Sequence, residues 1–379
     1  MKLHLPIRAL AAASLLLGLG VAATTTAAGA APFQRPGHAL FVETDNVSGN
    51  SVLSYLRGPD GTISYVGSFP TGGLGAVAAN AVADPLASQG GLALIDGGRE
   101  LVATNAGSNT ITVFDVFGAR LREREQISSG GVFPNSVSSH GDLVAVLNAG
   151  GTGTVAEFRV FGDQLVALPN QVRSLGLNNT TPPDFVHGAG QVGYTPDGQH
   201  LVVTTKHSTD SYEVFSVAQN GSLGASPVVT AADNAVPFAF NFDAAGNLVG
   251  VEASTSSLSV YSVNANGTLT SLGSVSDGAK ALCWLSSANG YFFGDNAGSA
   301  SVSSFTENGS GAPTLVNAAA ATAHAGTTDS TVSPDGTTLY VESGAAGTID
   351  VYRVGAAGSL TQVETVFNIP TASEGIAAS

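Results

Sequence analysis

The sequence predicts an all-β chain folded as one seven-bladed β-propeller, and three observations carry that prediction. A unit reading apolar strand, tight turn, Leu-Val-x-x-Asn-Ala-Gly-Ser and alternating strand recurs at spacings of roughly 42 to 58 residues, the length of one four-stranded blade. Turns built from Pro, Asp, Asn and Gly stand at corresponding places in each unit. Helical periodicity is absent throughout.

The elements follow in chain order. Residues 1–30 carry Lys2 and Arg8, then the run Ala9 to Ala23, then Ala28-Gly-Ala30, which is the charged, apolar and small-residue order of a secretory signal peptide. The single propeller domain is therefore expected over residues 31–379, in a secreted, extracellular product. The leader has no twin arginine, which favours the general export route. No later apolar run is long enough to span a bilayer, so the product is not expected to be membrane-embedded.

The first blade opens directly at its second strand, Ala39-Leu-Phe-Val-Glu43, and lacks an innermost one. In the later blades the innermost strands are read at 91–95, 136–139, 190–194, 238–242, 281–285 and 329–332. Leu101, Leu143, Leu201, Leu248, Tyr291 and Leu339 open the second strands, the third alternates as at 257–263, and the fourth follows Asn-Gly turns at Asn220, Asn266 and Asn308. Residues 374–379 match the innermost-strand pattern, so the C-terminal strand is expected to complete the N-terminal blade and leave no open sheet edge. The segment from Gly72 to Ala87 and the Pro182-Pro183 stretch exceed a simple inter-blade turn and read as lids over one face.

Composition narrows the partners. Without Lys2 and Arg8 the 13 basic residues become 11 against 28 acidic ones, a net charge of about −17 with His neutral. Nucleic acid and polyanionic substrates are disfavoured by that balance. Cys283 is the single cysteine, so no internal disulfide staples the chain; in Ala281-Leu-Cys-Trp-Leu285 it reads as a packed small hydrophobe. Six Asn-x-Ser/Thr sequons, at Asn46, Asn178, Asn179, Asn220, Asn266 and Asn308, make a glycoprotein conceivable, although Asn-Gly before Ser or Thr is also ordinary hairpin chemistry.

In a propeller the loops joining strands two and three, with those entering the next blade, gather at one mouth of the central channel. Aligning the repeats puts Asp45 or Asn46, Asn105, Asn148, Lys206, Glu252, Asn296 and Ser343 at that level. The Asn copies suit a left-handed turn, which makes them structural by default. Lys206 and Glu252 break the pattern in adjacent blades, as a cation for a developing oxyanion and a carboxylate for water activation, or as a plain inter-blade salt bridge. Lys206 and Lys280 are the only lysines beyond the leader, and both fall on mouth segments. Arg120, Arg122 and Arg124 alternate along an outer strand as solvated edge protection. His187 and His324 each precede an innermost strand and face the same mouth as candidate general bases. Glu43, Asp295 and Glu342 sit just before the mouth ring and give it an acidic character, or else turn into the blade interfaces.

These residues resemble the seven-bladed lactonase family that includes 6-phosphogluconolactonase and the fungal carboxymuconate lactonizing enzyme. The resemblance covers about residue 38 onward and rests on Asn105-Ala-Gly-Ser-Asn-Thr-Ile-Thr-Val-Phe114, Gln191-Val-Gly-Tyr-Thr-Pro-Asp-Gly198 running into Leu201-Val-Val-Thr-Thr-Lys206, Ala281-Leu-Cys-Trp284 and Ser373-Glu-Gly-Ile-Ala-Ala378. It implies opening or closing of a lactone ring by cationic and acid/base groups at the channel mouth. Two lysines and no arginine cluster there make a poor phosphate cradle.

The expectation is accordingly a monomeric, secreted lactone hydrolase or lactonizing enzyme acting on a small lactone or hydroxy acid. Lys206, Glu252, His187 and His324 are the catalytic candidates; Asn105, Asn148, Asn296 and Lys280 are the substrate-binding ones. No cofactor or metal is expected, with a weak Ca²⁺ site formed by Asn105, Asn148, Asn296 and Glu252 as the variant. The alternative is a non-catalytic extracellular propeller that binds a protein, glycan or cell-wall ligand. Convergence of Lys206, Glu252 and His187 in one pocket would favour the enzyme, and their separation the binder.

Overall fold

The computed structural model describes residues 38–379, so the signal-peptide expectation for residues 1–30 lies outside the described residues. Twenty-eight strands form seven antiparallel sheets of four. The only helical elements among the described residues are the three-residue 3₁₀ turns Asp96–Gly98 and Ala356–Gly358, and no helix is long and apolar enough to cross a membrane. We number the blades from the N-terminus: blade 1 covers 39–70, blade 2 92–128, blade 3 134–174, blade 4 189–231, blade 5 237–276, blade 6 282–322 and blade 7 327–367.

Blade 1 is completed as expected. Ile376–Ala378 pairs antiparallel with Ala39–Glu43, in the register Leu40 to Ala378, Phe41 to Ala377 and Val42 to Ile376. Backbone bonds from Glu43 N–H to Gly375 O (2.8 Å) and from Ser379 N–H to Ala39 O (2.9 Å) flank the pairing. Arg57 adds a bond to the Ser379 carbonyl at 2.5 Å and one to the Tyr340 hydroxyl at 3.0 Å, tying blade 7 to the same seam. The innermost strands then touch their neighbours all the way round the ring.

Burial explains why the second strands read as unbroken apolar runs. Glu100–Asn105, Leu143–Asn148 and His200–Thr205 are buried at every position, because each lies between the sheets of two neighbouring blades. The outer strand Gln164–Ser174, by contrast, exposes most of its positions. One apolar cluster fills each of the seven blade interfaces, for example Leu147, Val192, Val203 and Phe215 between blades 3 and 4, and Phe238, Val251, Trp284 and Phe292 between blades 5 and 6. The core is thus a ring of wedges, and each fully buried Leu, Val or Phe within it contributes about 1.5–3 kcal/mol.

Two local readings change. Blade 4's outer strand starts at Val228, not directly after the Asn220 turn, and only an isolated Val217–Leu223 bridge forms in between. The backbone of Leu223 and Gly224 is taken instead by blade 3: Arg173 donates to both carbonyls (2.7 and 2.8 Å) and Gln171 accepts from Leu223 N–H (2.8 Å). Arg124 is not solvated edge protection. It bonds Asp115 and Glu100 (2.8 Å) with a side chain only 19% exposed, while Arg122 pairs with Asp115 and stays 70% exposed.

Candidate functional site

Lys206 follows blade 4's second strand, and its side chain enters the ring instead of reaching solvent. The residue is 2% exposed, with Nζ 5.5 Å from the Phe185 ring centroid and 5.2 Å from that of Phe238. Its ammonium donates to the Ala87 carbonyl at 2.5 Å. Burial pushes the amine down to about 8, while Asp84, and behind it Cys283, Glu374 and Asp184, hold the charge on.

Ala87 belongs to the segment between blades 1 and 2, which lies across the mouth as the sequence suggests. Gly73 and Gly75 let it leave blade 1 in close contact: a Cβ on Gly75 would stand 2.0 Å from the Asp45 carbonyl, and one on Gly73 2.3 Å from Asn105. Ala78 and Leu86 then pack on Ala106, Phe133 and Ala149 of the second and third blades. Ala79 exchanges backbone bonds with Pro183 and Phe185 (both 2.9 Å), and Asn80 donates to Asp184 at 2.7 Å. At the far end Ser88 and Gln89 reach the axis, where the Trp284 indole donates to Ser88 O (2.8 Å) and Gln89 brackets Leu285.

Carboxyl groups close the other side of this interior. Glu43, Asp45, Asp84, Asp295, Asp329, Glu342 and Glu374 are all buried. Asp84 accepts backbone N–H groups of Leu86 (2.9 Å), Ala87 (2.7 Å) and Ser88 (3.1 Å), and Glu374 accepts the Ser88 hydroxyl at 3.1 Å. Neither oxygen of Asp295 or of Glu342 has a hydrogen-bond partner, nor does one oxygen each of Glu43, Asp45 and Glu374. Burial pushes all seven upward, Asp84 and Asp295 to about 7, and neighbouring carboxyls reinforce it for Glu43, Asp45, Asp329, Glu342 and Glu374. With one ammonium among them, most of these groups are held neutral.

The other sequence candidates are dispersed. No hydrogen bond or ion pair joins Lys206, Glu252 and His187, so the Lys206–Glu252 salt bridge is not formed among the described residues. Glu252 is buried against the Tyr261 hydroxyl (3.1 Å), with burial raising its carboxyl. His187 lies on the rim with Nδ1 2.7 Å from Asp184 and its ring against His207. His324 is likewise a rim residue, its Nδ1 2.9 Å from the fully buried carboxylate of Asp350. In both pairs the carboxylate orients the imidazole and leaves the other ring nitrogen outward. Lys280 is exposed on the rim.

The three Asn candidates are occupied by bonds within the ring, two of them reaching the preceding blade. Asn105 bonds Asn50, Thr71 and Thr112; Asn148 donates to Ser129 O (3.2 Å), and Asn296 to Ser303 (2.9 Å). Among the described residues no three His, Cys, Asp or Glu side chains stand together as a metal site. In the sequons, Asn46, Asn220, Asn266 and Asn308 each accept the N–H two residues on, the Asx geometry of a tight turn.

Sequence reasoning missed Asp84 and Glu374. The usable signal was one acid in the otherwise uncharged run from Gly72 to Gln89, and another inside the closing strand motif.

Residues 167–286 match the family profile described as Lactonase, 7-bladed beta-propeller. No curated protein matches the chain. Among solved structures, a candidate 6-phosphogluconolactonase of Bacteroides fragilis is 17% identical, with TM-score 0.68, over 90% of this chain and 98% of that one. The periplasmic gluconolactonase PpgL of Pseudomonas aeruginosa is 19% identical, with TM-score 0.67 and the same coverage. A protein from Lactobacillus plantarum reaches TM-score 0.71 at 15% identity, again with 90% and 98% covered. These three likenesses establish the shared ring.

Proposed function

We propose that this seven-bladed propeller, which matches a lactonase family profile over residues 167–286, opens or closes the ring of a small uncharged lactone beneath the segment that crosses the mouth. The observation that carries this reading is Lys206, a buried ammonium at the channel mouth bonded to the Ala87 carbonyl at 2.5 Å, with Asp84 of the same segment as its strongest opposite charge. An ammonium held there stabilises the oxyanion that forms when water attacks the lactone carbonyl. Asp84 takes the water's proton and returns it to the leaving ring oxygen, a role the sequence assigned to Glu252 or His187.

The surrounding carboxyls favour a neutral substrate and oppose a phosphorylated one, since no arginine accompanies Lys206. The leader-like residues 1–30 support export, which separates the protein from cytosolic sugar phosphates. A binding propeller is the second reading. It is favoured by the separation of Lys206, Glu252 and His187, each bonded to a different partner, and by the exposed aliphatic residues Val47, Leu74, Val77, Val82, Val132 and Val186 on loops of this face.

Proton release in weak buffer against aliphatic, aromatic and sugar lactones tests the proposal, with Lys206→Met and Asp84→Asn in parallel. Turnover that falls at least a hundredfold in both variants supports it. Turnover unaffected by both removes the site, and no turnover on any lactone moves the protein to the binding reading.

A further inference from the structure

The mouth-crossing segment covers the very group the proposed chemistry needs. Lys206 is 2% exposed and Cys283, beside it, 7%. Both are closed off from solvent in the ring as it stands, and neither lines the open cavities formed by the strand-one to strand-two turns at Thr195–His200 and Phe242–Phe292. A substrate reaches this interior only if something moves.

The central part of the segment is the piece built to do so. Between Gly75 and Ser88 the chain has no strand or helix. Its polar ties to the ring are few: the Ala79 backbone pair with Pro183 and Phe185, the Asn80–Asp184 bond, and Lys206 to Ala87. Its ends are glycine-rich, with Gly72, Gly73 and Gly75 on one side and Gly90 and Gly91 on the other. Ala87 is held at φ +58°, a left-handed conformation that a residue with a Cβ adopts only when its surroundings impose it. On the outer side Val82 is 91% exposed, with Leu74 and Val77 also exposed, so the segment is only half embedded. Ordered loops of this length without secondary structure are commonly lids.

We propose that residues 76–87 form a hinged strap, latched by Asn80 to Asp184 and by Lys206 to Ala87, and that Asp84 travels on it. Closure then does two things at once: it removes water from Lys206 and delivers the carboxylate that partners it. The delivered role of Asp84 rests on the lactone reading, whereas the strap's opening does not.

Cys283 supplies a reporter, as the only thiol in the chain. Burial pushes that thiol up to about 12, so it reacts slowly until uncovered. The experiment is the rate of N-ethylmaleimide labelling of the folded protein at rising urea, in the natural chain and in Asn80→Asp. That variant keeps the left-handed preference needed at φ +65° and sets a carboxylate against Asp184. A strap predicts labelling with a shallow urea dependence, far below that of global unfolding, and a rate about five- to tenfold higher in Asn80→Asp at unchanged melting temperature. Labelling that follows global unfolding in both proteins, or an unchanged rate in Asn80→Asp, overturns it. Lactone turnover in the same samples separates the two ideas: shallow labelling without turnover keeps the strap and sinks the lactonase reading, and turnover with unfolding-limited labelling does the reverse.

Discussion

The two faces of the ring differ in what they bury. At the mouth, Lys206 and six carboxyls are buried around a crossing segment that carries a seventh, Asp84. On the opposite face the turns between strands one and two leave open grooves. One of about 390 Å³ is lined by Thr195, Asp197, His200 and Ala245; another of about 270 Å³ is lined by Asp243, Asn289, Tyr291 and Glu307. The charges there mostly serve the turns themselves: Asp197 accepts from Thr195 and Gln199, and its bond with the Thr195 hydroxyl holds its carboxyl below the usual range. Open volume therefore marks where turns pack loosely, whereas desolvated charge marks where the fold sustains a cost, and chemistry is expected on the second face.

The largest effect is expected from the seam that supports the mouth. Deleting residues 374–379 removes the innermost strand of blade 1, the Ser379 acceptor for Arg57 and the carboxyl of Glu374. The melting temperature should drop by more than about 10 °C or the cooperative transition should vanish, since an unpaired inner edge exposes two interfaces at once. An unchanged melting curve would break the account of ring closure.

Next comes the pH dependence of turnover. Asp84 must be ionised and Lys206 protonated, and their carboxyl and amine stand at about 7 and about 8. The kcat/KM profile should be a narrow bell over that interval, its limbs belonging to the coupled pair. A profile flat from pH 6 to 9 would remove both groups from the reaction.

Stability should respond to pH in the opposite sense from most proteins. A carboxyl raised by folding binds its proton more tightly in the native state, so stability is complete below the unfolded value near 4 and falls as pH rises through the folded one. For Asp295 that folded value is about 7, and Glu43, Asp329 and Glu342 shift the same way. The melting temperature should fall by about 5 °C or more between pH 5 and 8. Asp295→Asn and Glu342→Gln, which mimic the neutral acids, should flatten that slope.

The smallest effects belong to the rim and the far face. His187→Ala or His324→Ala should change turnover less than about tenfold, because each ring is oriented by an Asp but bonded to neither Lys206 nor any of the seven mouth carboxyls. Asp197→Ala on the opposite face should leave turnover unchanged and lower stability by about 1 kcal/mol, the worth of its turn bonds. A larger loss there would mean that the comparison has the faces reversed.

Much of this was legible in the chain itself. Leu-Val runs, Asn-Gly turns and the strand-like 374–379 located the blades and their closure, because alternation and turn chemistry act between residues a few positions apart. Lys206 stood out as the one cation at a level where Asn105, Asn148 and Asn296 stand in other blades. Its partners did not: Ala87 is 119 residues away, and the Ser88–Glu374 contact spans 286. Glu252 looked like the natural counter-charge because it occupies the next blade's equivalent position, yet at that level the chain turned it toward Tyr261. Local pattern determines which strands form and how many blades they make. Which charges share an interior depends on the closed ring and on the strap laid across it, since only burial makes residues so distant in sequence feel one another's charge.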